Sequence, residues 1–342
     1  MSPVSPVSPG TTIRVGTRRS VLATTQAGHV ADLIRERLGR EVELVEVVTH
    51  GDRTQAAGTP LARTALAGTG VFVSELRDAL LAGEVDVAVH SLKDLPTYPH
   101  PGVALVAVPP REDPRDVVVA RDGLTLGELP PGAKVGTGAP RRVAQLHALG
   151  LGLDLVGLRG NVDTRIGKVR SGEYDAVVLA RAGLARIGRL DEVTETLDPL
   201  QLLPAPGQGA LGVECRADDE LAEVLAVLED PRSRAAVDAE RALLATLEGG
   251  CAAPIGALAE VVEGEDGEEL WLRAVALSPD GALAVRRSAT GSPAEAAEVG
   301  VRLAKEMLAE GAADLEVRAA TGRGQQDEGA ASQGADELDE GK

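Results

Sequence analysis

A cysteine that follows two glycines is the first feature of the sequence that could do chemistry. Cys251 comes directly after Gly249 and Gly250, at the predicted end of a helix. Glycine adopts positive φ angles at little cost, so we expect a tight loop from which the thiol projects. A thiolate there could act as a nucleophile if its pKa were lowered. A buried structural cysteine is the alternative, and that is the more common fate of a single cysteine.

The second cysteine, Cys215, lies in an apolar, strand-like run, and we interpret it as a core residue. Two cysteines in 342 residues do not indicate a disulfide framework, and no Cys/His spacing indicates a zinc or other metal site. A reducing cytoplasm is therefore the expected compartment.

An adjacent base and acid, Lys93 and Asp94, follow a predicted strand that ends near His90. Parallel sheets place functional groups in the loops beyond the carboxyl ends of their strands. An ordinary turn before Pro96 is the alternative interpretation.

A second candidate site is the run Gly136–Arg142, in which small residues lead into Pro140, a favoured first residue of a helix. The free backbone N–H groups and the positive end of the helix dipole would bind an anion there. Arg141 and Arg142 would extend this site. The glycines do not form a Walker motif, because no Gly-Lys-Ser/Thr follows them.

Three further arginines occur at similar places. Arg18 precedes Ser20 in a strand–turn–helix layout, Arg159 ends a predicted strand, and Arg165 lies one turn into the next helix. A guanidinium fork binds both oxygens of a carboxylate. Several arginines that converge on one cleft would therefore need a substrate with several carboxylates.

The charge distribution agrees with a localised anion site. The whole chain has a formal net charge of −18, which argues against nucleic acid as a partner. Residues 111–189 nevertheless contain 13 Lys and Arg against 9 Asp and Glu, a local net charge of +4. A solvated basic surface is the alternative. No apolar run is long enough to span a membrane, and the N-terminus lacks the features of a secretory signal, so we expect no membrane association.

Strand and helix patterns alternate, which predicts an α/β fold with largely parallel sheets. Aromatic residues make up only 1% of the chain, so its cores must consist of Val, Leu, Ile and Ala. The predicted elements of the first part are strands over 12–16, 41–48 and 85–89, helices over 20–38 and 73–82, and a mobile loop over 51–70.

Two internal matches indicate a repeated unit. Residues 83–89 resemble residues 172–178, and residues 14–17 resemble residues 134–137, in the same order. Coincidence in a Val- and Gly-rich sequence is the alternative to two similar lobes. Proline-containing segments at 109–110 and 204–206 would then be two crossings between lobes, and two crossings make a hinge beside a ligand cleft.

Beyond Leu221 the pattern changes to that of a smaller α+β domain. Its predicted elements are helices over 221–228, 234–247 and 294–310, and strands over 255–262 and 271–277.

Six motifs together resemble those of one enzyme family, the hydroxymethylbilane synthases or porphobilinogen deaminases, over residues 12 to 320. No single motif is specific, but six in the family's order are. The motifs are Thr17–Ser20, Ala88–Pro96, Arg111–Asp116, Leu158–Asn161, Pro206–Ala210 and Glu248–Cys251.

The resemblance implies an α/β fold with two similar periplasmic-binding-protein-like lobes, joined by a hinge, and a small α+β C-terminal domain that carries Cys251. The expected boundaries are 12–110 and 207–226 for lobe 1, 111–206 for lobe 2 and 228–320 for the C-terminal domain, between disordered tails over 1–11 and 321–342.

It also implies a dipyrromethane cofactor, one per chain, attached through a thioether to Cys251. Four porphobilinogen molecules would be joined head to tail on this primer with loss of ammonia, and water would release the linear tetrapyrrole. Asp94 matches the family's catalytic aspartate. The residues expected to bind cofactor and substrate are Arg18, Ser20, Lys93, Thr137, Arg141, Arg142, Arg159, Arg165, Arg186 and Gln208.

The expected partner is porphobilinogen as substrate, with hand-over of the product to uroporphyrinogen-III synthase, and the expected state is a monomer. The chain departs from the family's pattern twice. Thr69 replaces a lysine of the predicted loop, and the turn 138–140 lacks the usual hydroxyl groups, which leaves backbone N–H groups to bind the cofactor.

Two other classes of function stay open on the residues alone. A two-lobed carboxylate-binding protein would need the arginines but neither Asp94 nor Cys251. A cysteine hydrolase would pair Cys251 with one of the five histidines and would carry no pyrrole.

Overall fold

The computed structural model describes residues 12–47, 68–248, 254–265 and 267–315. Cys251 and most of the predicted mobile loop lie outside these residues. Within them, no helix has the length and apolar character needed to cross a membrane.

Strands and helices alternate through the first two thirds of the chain, as the pattern predicts. In chain order the elements are β1 (Ile13–Thr17), α1 (Val21–Leu38), β2 (Val42–Glu46), α2 (Gly68–Leu81), β3 (Val87–Ser91), β4 (Val103–Ala107), β5 (Asp116–Ala120), β6 (Lys134–Gly136), α3 (Pro140–Ala148), β7 (Asp154–Val156), α4 (Val162–Arg170), β8 (Ala176–Ala180), α5 (Arg181–Arg186), β9 (Glu195–Thr196), β10 (Leu211–Arg216), α6 (Leu221–Leu225), α7 (Pro231–Glu248), β11 (Ile255–Gly264), β12 (Gly267–Leu277), β13 (Ala284–Gly291) and α8 (Ala296–Ala309).

Two five-stranded sheets have the same topology. The first has the order β2-β1-β3-β10-β4 and the second the order β7-β6-β8-β5-β9. In the first, β1 is parallel to β2 and β3, whereas β10 is antiparallel to β3 and β4. In the second, β6 is parallel to β7 and β8, whereas β5 is antiparallel to β8 and β9. The predicted pair of similar lobes is therefore confirmed, and the internal matches fall on β1 and β6 and on the approaches to β3 and β8.

Helix α1 shows how the sequence defines these elements. The Ser20 side chain accepts a hydrogen bond from the Ala23 N–H and begins the helix, and Gly39 ends it with φ of 61°. Val30 and Ile34 lie one turn apart and are fully buried against the first sheet.

The chain crosses between the lobes twice, after β4 and before β10. The two crossing segments contact each other, because the Glu112 N–H donates to the Gly209 carbonyl over 3.2 Å. Gly207 and Gly209 have φ of 74° and 88°, and a Cβ on Gly207 would lie 3.2 Å from the backbone nitrogen of Lys93. Glycine is needed at both places because of this φ and this close approach.

The C-terminal domain is a three-stranded antiparallel sheet of order β11-β12-β13, covered by α7 and α8. Its core consists mainly of Ala and Leu, with Met307 and no aromatic residue. Small residues let the two helices approach closely: a Cβ on Gly300 would overlap the Ala239 carbonyl oxygen. The prediction of an aliphatic core is confirmed here.

Two local predictions are wrong, and one strand was missed. Gly68–Gly70 belong to α2 rather than to a loop, β7 ends at Val156 rather than at Arg159, and β13 was not predicted. Four of the eight residues of β13 are Arg, Ser or Thr, and all eight are half-exposed or exposed on this edge strand. Edge strands with one solvated face carry a weak apolar signal.

Candidate active site

A cavity of about 110 Å³ lies at the carboxyl end of β3 in the first lobe. The 3-10 turn Leu92–Asp94 follows β3 directly and places the half-buried Asp94 in the cavity wall. Arg18 and Ser20, at the start of α1, line the same cavity. Three of the residues expected from the sequence are thus brought together by two loops of one lobe.

The carboxylate of Asp94 accepts no hydrogen bond and makes no ion pair with any described side chain, which distinguishes it from the buried carboxylates nearby. Elsewhere in the lining, Gln26 donates to the Ser91 hydroxyl over 2.8 Å. Asp94 is therefore available to a ligand.

A buried ion cluster lies behind the cavity. Glu214 on β10 accepts two hydrogen bonds from Arg77 on α2, over 2.6 and 3.0 Å, and lies 3.3 Å from His90 Nε2. Burial alone would raise the pKa of Glu214, but the contacts with His90 and Arg77 lower it to about 2. The cluster connects α2, β3 and β10 beneath the turn that carries Asp94.

Lys93 faces the other lobe. Its Nζ lies 3.5 Å from the Gln208 side-chain oxygen, and the Gln208 amide donates to Asp116 over 2.8 Å. Part of the Lys93 side chain is solvent-exposed. The surrounding protein nevertheless desolvates its ammonium group and lowers the pKa of that group, although the nearby Asp94 acts in the opposite direction. Lys93, Gln208 and Asp116 therefore link the two lobes at the crossings.

Arg141 and Arg142 are buried and share one acid. Each lies 2.8 Å from an oxygen of Asp116, and Arg142 also donates to the Val178 carbonyl. Burial would raise the pKa of Asp116, but the two arginines and Gln208 hold it well below its usual range. The paired arginines are thus already neutralised in part by the protein.

The other expected residues lie in the second lobe. Arg165 Nε donates to the Gly160 carbonyl over 2.8 Å. Burial lowers the pKa of Arg165, and the positive charge of the nearby Arg142 lowers it further. Arg186 donates to the Gly209 carbonyl over 2.6 Å. Arg159 is exposed, whereas Thr137 is buried and accepts from the Ala139 N–H over 3.4 Å.

The two cysteines differ. Cys215 is buried in the core of the first lobe, where burial raises the pKa of its thiol to about 12, so its interpretation as a core residue is confirmed. Cys251 lies outside the described residues. It follows Glu248, the last residue of α7, by three positions.

Sequence reasoning missed two acids that hold the site together. Asp116 belongs to a recognised motif but was given no role, and its position at the start of a buried strand was the available signal. Glu240 on α7 pairs with Arg111 over 2.7 and 3.0 Å and accepts from the Gly207 and Ala259 N–H groups. Nothing in the spacing of Arg111 and Glu240 predicts that they meet.

Comparisons with known proteins agree with this geometry. Residues 13–224 match the family model "Porphobilinogen deaminase, dipyromethane cofactor binding domain", and residues 235–309 match "Porphobilinogen deaminase, C-terminal domain".

Whole-chain relatives are also similar. The porphobilinogen deaminase of Nocardia farcinica is 59% identical over 91% of this chain and 90% of its own length. That of Mycobacterium tuberculosis H37Rv is 59% identical over 89% of this chain and 98% of its own.

Among solved structures, a periplasmic substrate-binding protein of an ABC transporter from Coxiella burnetii superposes on 63% of this chain and 91% of its own, with 15% identity and a TM-score of 0.39. The sequence matches are far stronger, and together they span both lobes and the C-terminal domain. The chain therefore belongs to the porphobilinogen deaminase family.

Proposed function

We propose that this protein is a hydroxymethylbilane synthase, which condenses four porphobilinogen molecules head to tail with loss of ammonia and releases the linear tetrapyrrole by hydrolysis. The observation that carries the proposal is the carboxylate of Asp94, which pairs with no described side chain and lines a cavity beside Arg18, with Lys93 on the same turn. The 59% identity to curated porphobilinogen deaminases supports it.

The donor set fits a covalently held dipyrromethane. Such a group carries several carboxylates, and the cationic side chains that we assign to it come from both lobes. They are Arg18, Lys93, Arg141, Arg142, Arg159, Arg165 and Arg186. When bound, dipyrromethane supplies the pyrrole carbon to which the first substrate is joined. We assign its attachment to Cys251.

Asp94 would do the acid–base work. The C–N bond of the substrate's protonated aminomethyl group breaks with its electron pair going to nitrogen, so ammonia leaves and positive charge develops on the substrate's methylene-pyrrole. A carboxylate beside that charge stabilises it and can accept the proton lost when the new C–C bond has formed. No hydrogen bond or salt bridge from a described side chain engages the Asp94 carboxylate, so it would be free to face the substrate.

The cations would hold the substrate's acetate and propionate groups. Lys93 and Arg165 are well placed, since neither makes a salt bridge with Asp116, and Arg18 lines the cavity that holds Asp94. Arg141 and Arg142 are buried against Asp116. A ligand would therefore interact with the combined net charge of the two arginines and this carboxylate. Ser20, Thr137 and Gln208 would add neutral hydrogen bonds.

The biological setting follows from the same proposal. Porphobilinogen is the substrate, and the unstable linear product would be handed to uroporphyrinogen-III synthase. We further propose that the protein works as a cytoplasmic monomer.

The proposal is tested by combining turnover with intact mass. Purified protein should convert porphobilinogen to a linear tetrapyrrole and should exceed its polypeptide mass by two linked pyrrole units. The Cys251→Ser variant should lack that excess as a thioether. Protein that binds porphobilinogen, releases no ammonia and has no added mass after incubation with substrate would instead be a carboxylate-binding protein.

A further inference from the structure

We propose that Arg241, on helix α7 of the C-terminal domain, is a positioning residue that fixes the turn carrying Asp94 against that helix. This inference rests on the proposed function. It concerns a residue that lies on another domain from Asp94 and belongs to none of the motifs that carry the family resemblance.

Arg241 donates hydrogen bonds to the backbone of the Asp94 turn. Its Nη1 lies 3.1 Å from the Leu95 carbonyl oxygen and 3.5 Å from that of Leu92, and its Nη2 lies 2.6 Å from that of Pro96. Leu92 and Leu95 are also the residues whose backbone bond, over 3.1 Å, closes the 3-10 turn. One guanidinium group therefore binds the carbonyls on both sides of Asp94.

Arginine is suited to this position because its planar group offers five N–H donors in a fixed geometry. Lysine carries the same charge on a single nitrogen and would not span the same carbonyls. Burial lowers the pKa of Arg241, and Asp238, one turn earlier on the helix, opposes that effect. The carbonyl oxygens that it contacts stabilise the guanidinium group.

A second contact links the same helix face to the far end of the turn. The Thr97 hydroxyl donates to Glu248 Oε2 over 3.0 Å. Arg241 and Glu248 are seven residues apart and hence lie on one face of α7. Glu248 is the last residue of α7, three positions before Cys251 in the sequence. Residues 92–97 and the last two turns of α7 are thus linked by two side chains.

Other α7 side chains dock the helix elsewhere. Arg234 donates to the Leu105 carbonyl of β4 over 3.1 Å and pairs with Glu229, and Glu240 binds Arg111. Among the described α7 residues, side-chain hydrogen bonds to residues 92–97 come from Arg241 and Glu248. Arg234 is therefore a matched control: it is an arginine of the same helix that binds a first-lobe carbonyl away from Asp94.

The experiment compares Arg241→Ala, Arg241→Lys and Arg234→Ala as cofactor-loaded proteins of verified mass, at a temperature where each is folded. We expect Arg241→Ala to lower kcat for porphobilinogen about 10-fold or more while KM changes less than about threefold, because a small displacement of a catalytic group is costly. Arg241→Lys should recover part of the loss, and Arg234→Ala should keep the kcat of the parent.

Equal kcat values for Arg241→Ala and Arg234→Ala would overturn the inference, as would a loss confined to KM. If Arg241→Ala does not fold, Arg241→Lys and Thr97→Val decide the question by the same split between kcat and KM, and parental kcat in both overturns it. A parent protein that does not turn over porphobilinogen would refute the proposed function instead, which keeps the two failures distinct.

Discussion

The two lobes share one topology but differ in where they place an acid. In lobe 2, Asp116 opens β5 opposite Ala180, the last residue of β8; in lobe 1, Leu211 opens β10 opposite Ser91, the last residue of β3. Asp116 and Leu211 therefore occupy corresponding positions. Lobe 2 has a buried carboxylate where lobe 1 has an apolar side chain.

The acid of lobe 1, Asp94, lies instead in the turn that follows β3. Asp94 faces a cavity there, whereas the corresponding strand of lobe 2, β8, leads directly into α5. The two acids therefore differ in their surroundings. Two arginines and Gln208 contact the acid of lobe 2 at the lobe crossings, whereas the acid of lobe 1 faces a cavity and, on our proposal, is left for chemistry.

The largest expected effect on stability is that of Asp116→Asn. Loss of this charge leaves Arg141 and Arg142 buried without a counter-ion, so the free energy of unfolding should fall by about 3–5 kcal/mol. Urea denaturation monitored by circular dichroism measures it. The control is Asp94→Asn, which removes no described ion pair and should lie within about 0.5 kcal/mol of the parent. Equal losses in the two variants would remove the distinction between the acids.

A somewhat smaller effect concerns pH and the buried Glu214 of lobe 1. Because its pKa falls from 4.5 in the unfolded chain to about 2 in the folded protein, its stabilisation is complete above pH 4.5 and disappears as the pH falls towards 2. The contribution is on the order of 3 kcal/mol. We expect the difference in unfolding free energy between the parent and Glu214→Gln to shrink between pH 5 and pH 2. A difference that is constant over this range would contradict the assignment.

The smallest expected effect comes from the helices that begin each lobe. Ser20 caps α1 with its hydroxyl, whereas Ala139 at the start of α3 offers no such group. Ser20→Ala should therefore cost about 1 kcal/mol of unfolding free energy, and Ala139→Ser should gain up to about 1 kcal/mol. Thermal unfolding of both variants would show shifts of opposite sign. A stabilising Ser20→Ala would mean that the hydroxyl serves the cavity at the expense of the helix.

Local sequence signals were sufficient for much of the fold. Ser20, Pro140 and the apolar strands predict element boundaries, since capping and burial act over a few residues. The turn after β3 was likewise predicted to carry Lys93 and Asp94. The repeat in the sequence was enough to indicate two lobes, because β1 and β6 keep similar residues.

The network beneath the site was not predictable in this way. Arg111 and Glu240 meet although 129 positions separate them, and Arg241 reaches the Leu95 carbonyl across 146. Such pairs depend on how the domains pack against each other. Helix periodicity and capping residues carry no information about that packing. Asp116 shows the same limit, because only the structure reveals that Arg141 and Arg142 neutralise its charge.

The most direct test of the account is the turnover of cofactor-loaded Asp94→Asn. If Asp94 is the acid left for chemistry, this variant should keep the mass of two linked pyrroles and the stability of the parent, and kcat for porphobilinogen should fall about 100-fold or more. A kcat within a few-fold of the parent, with the cofactor in place, would contradict the account.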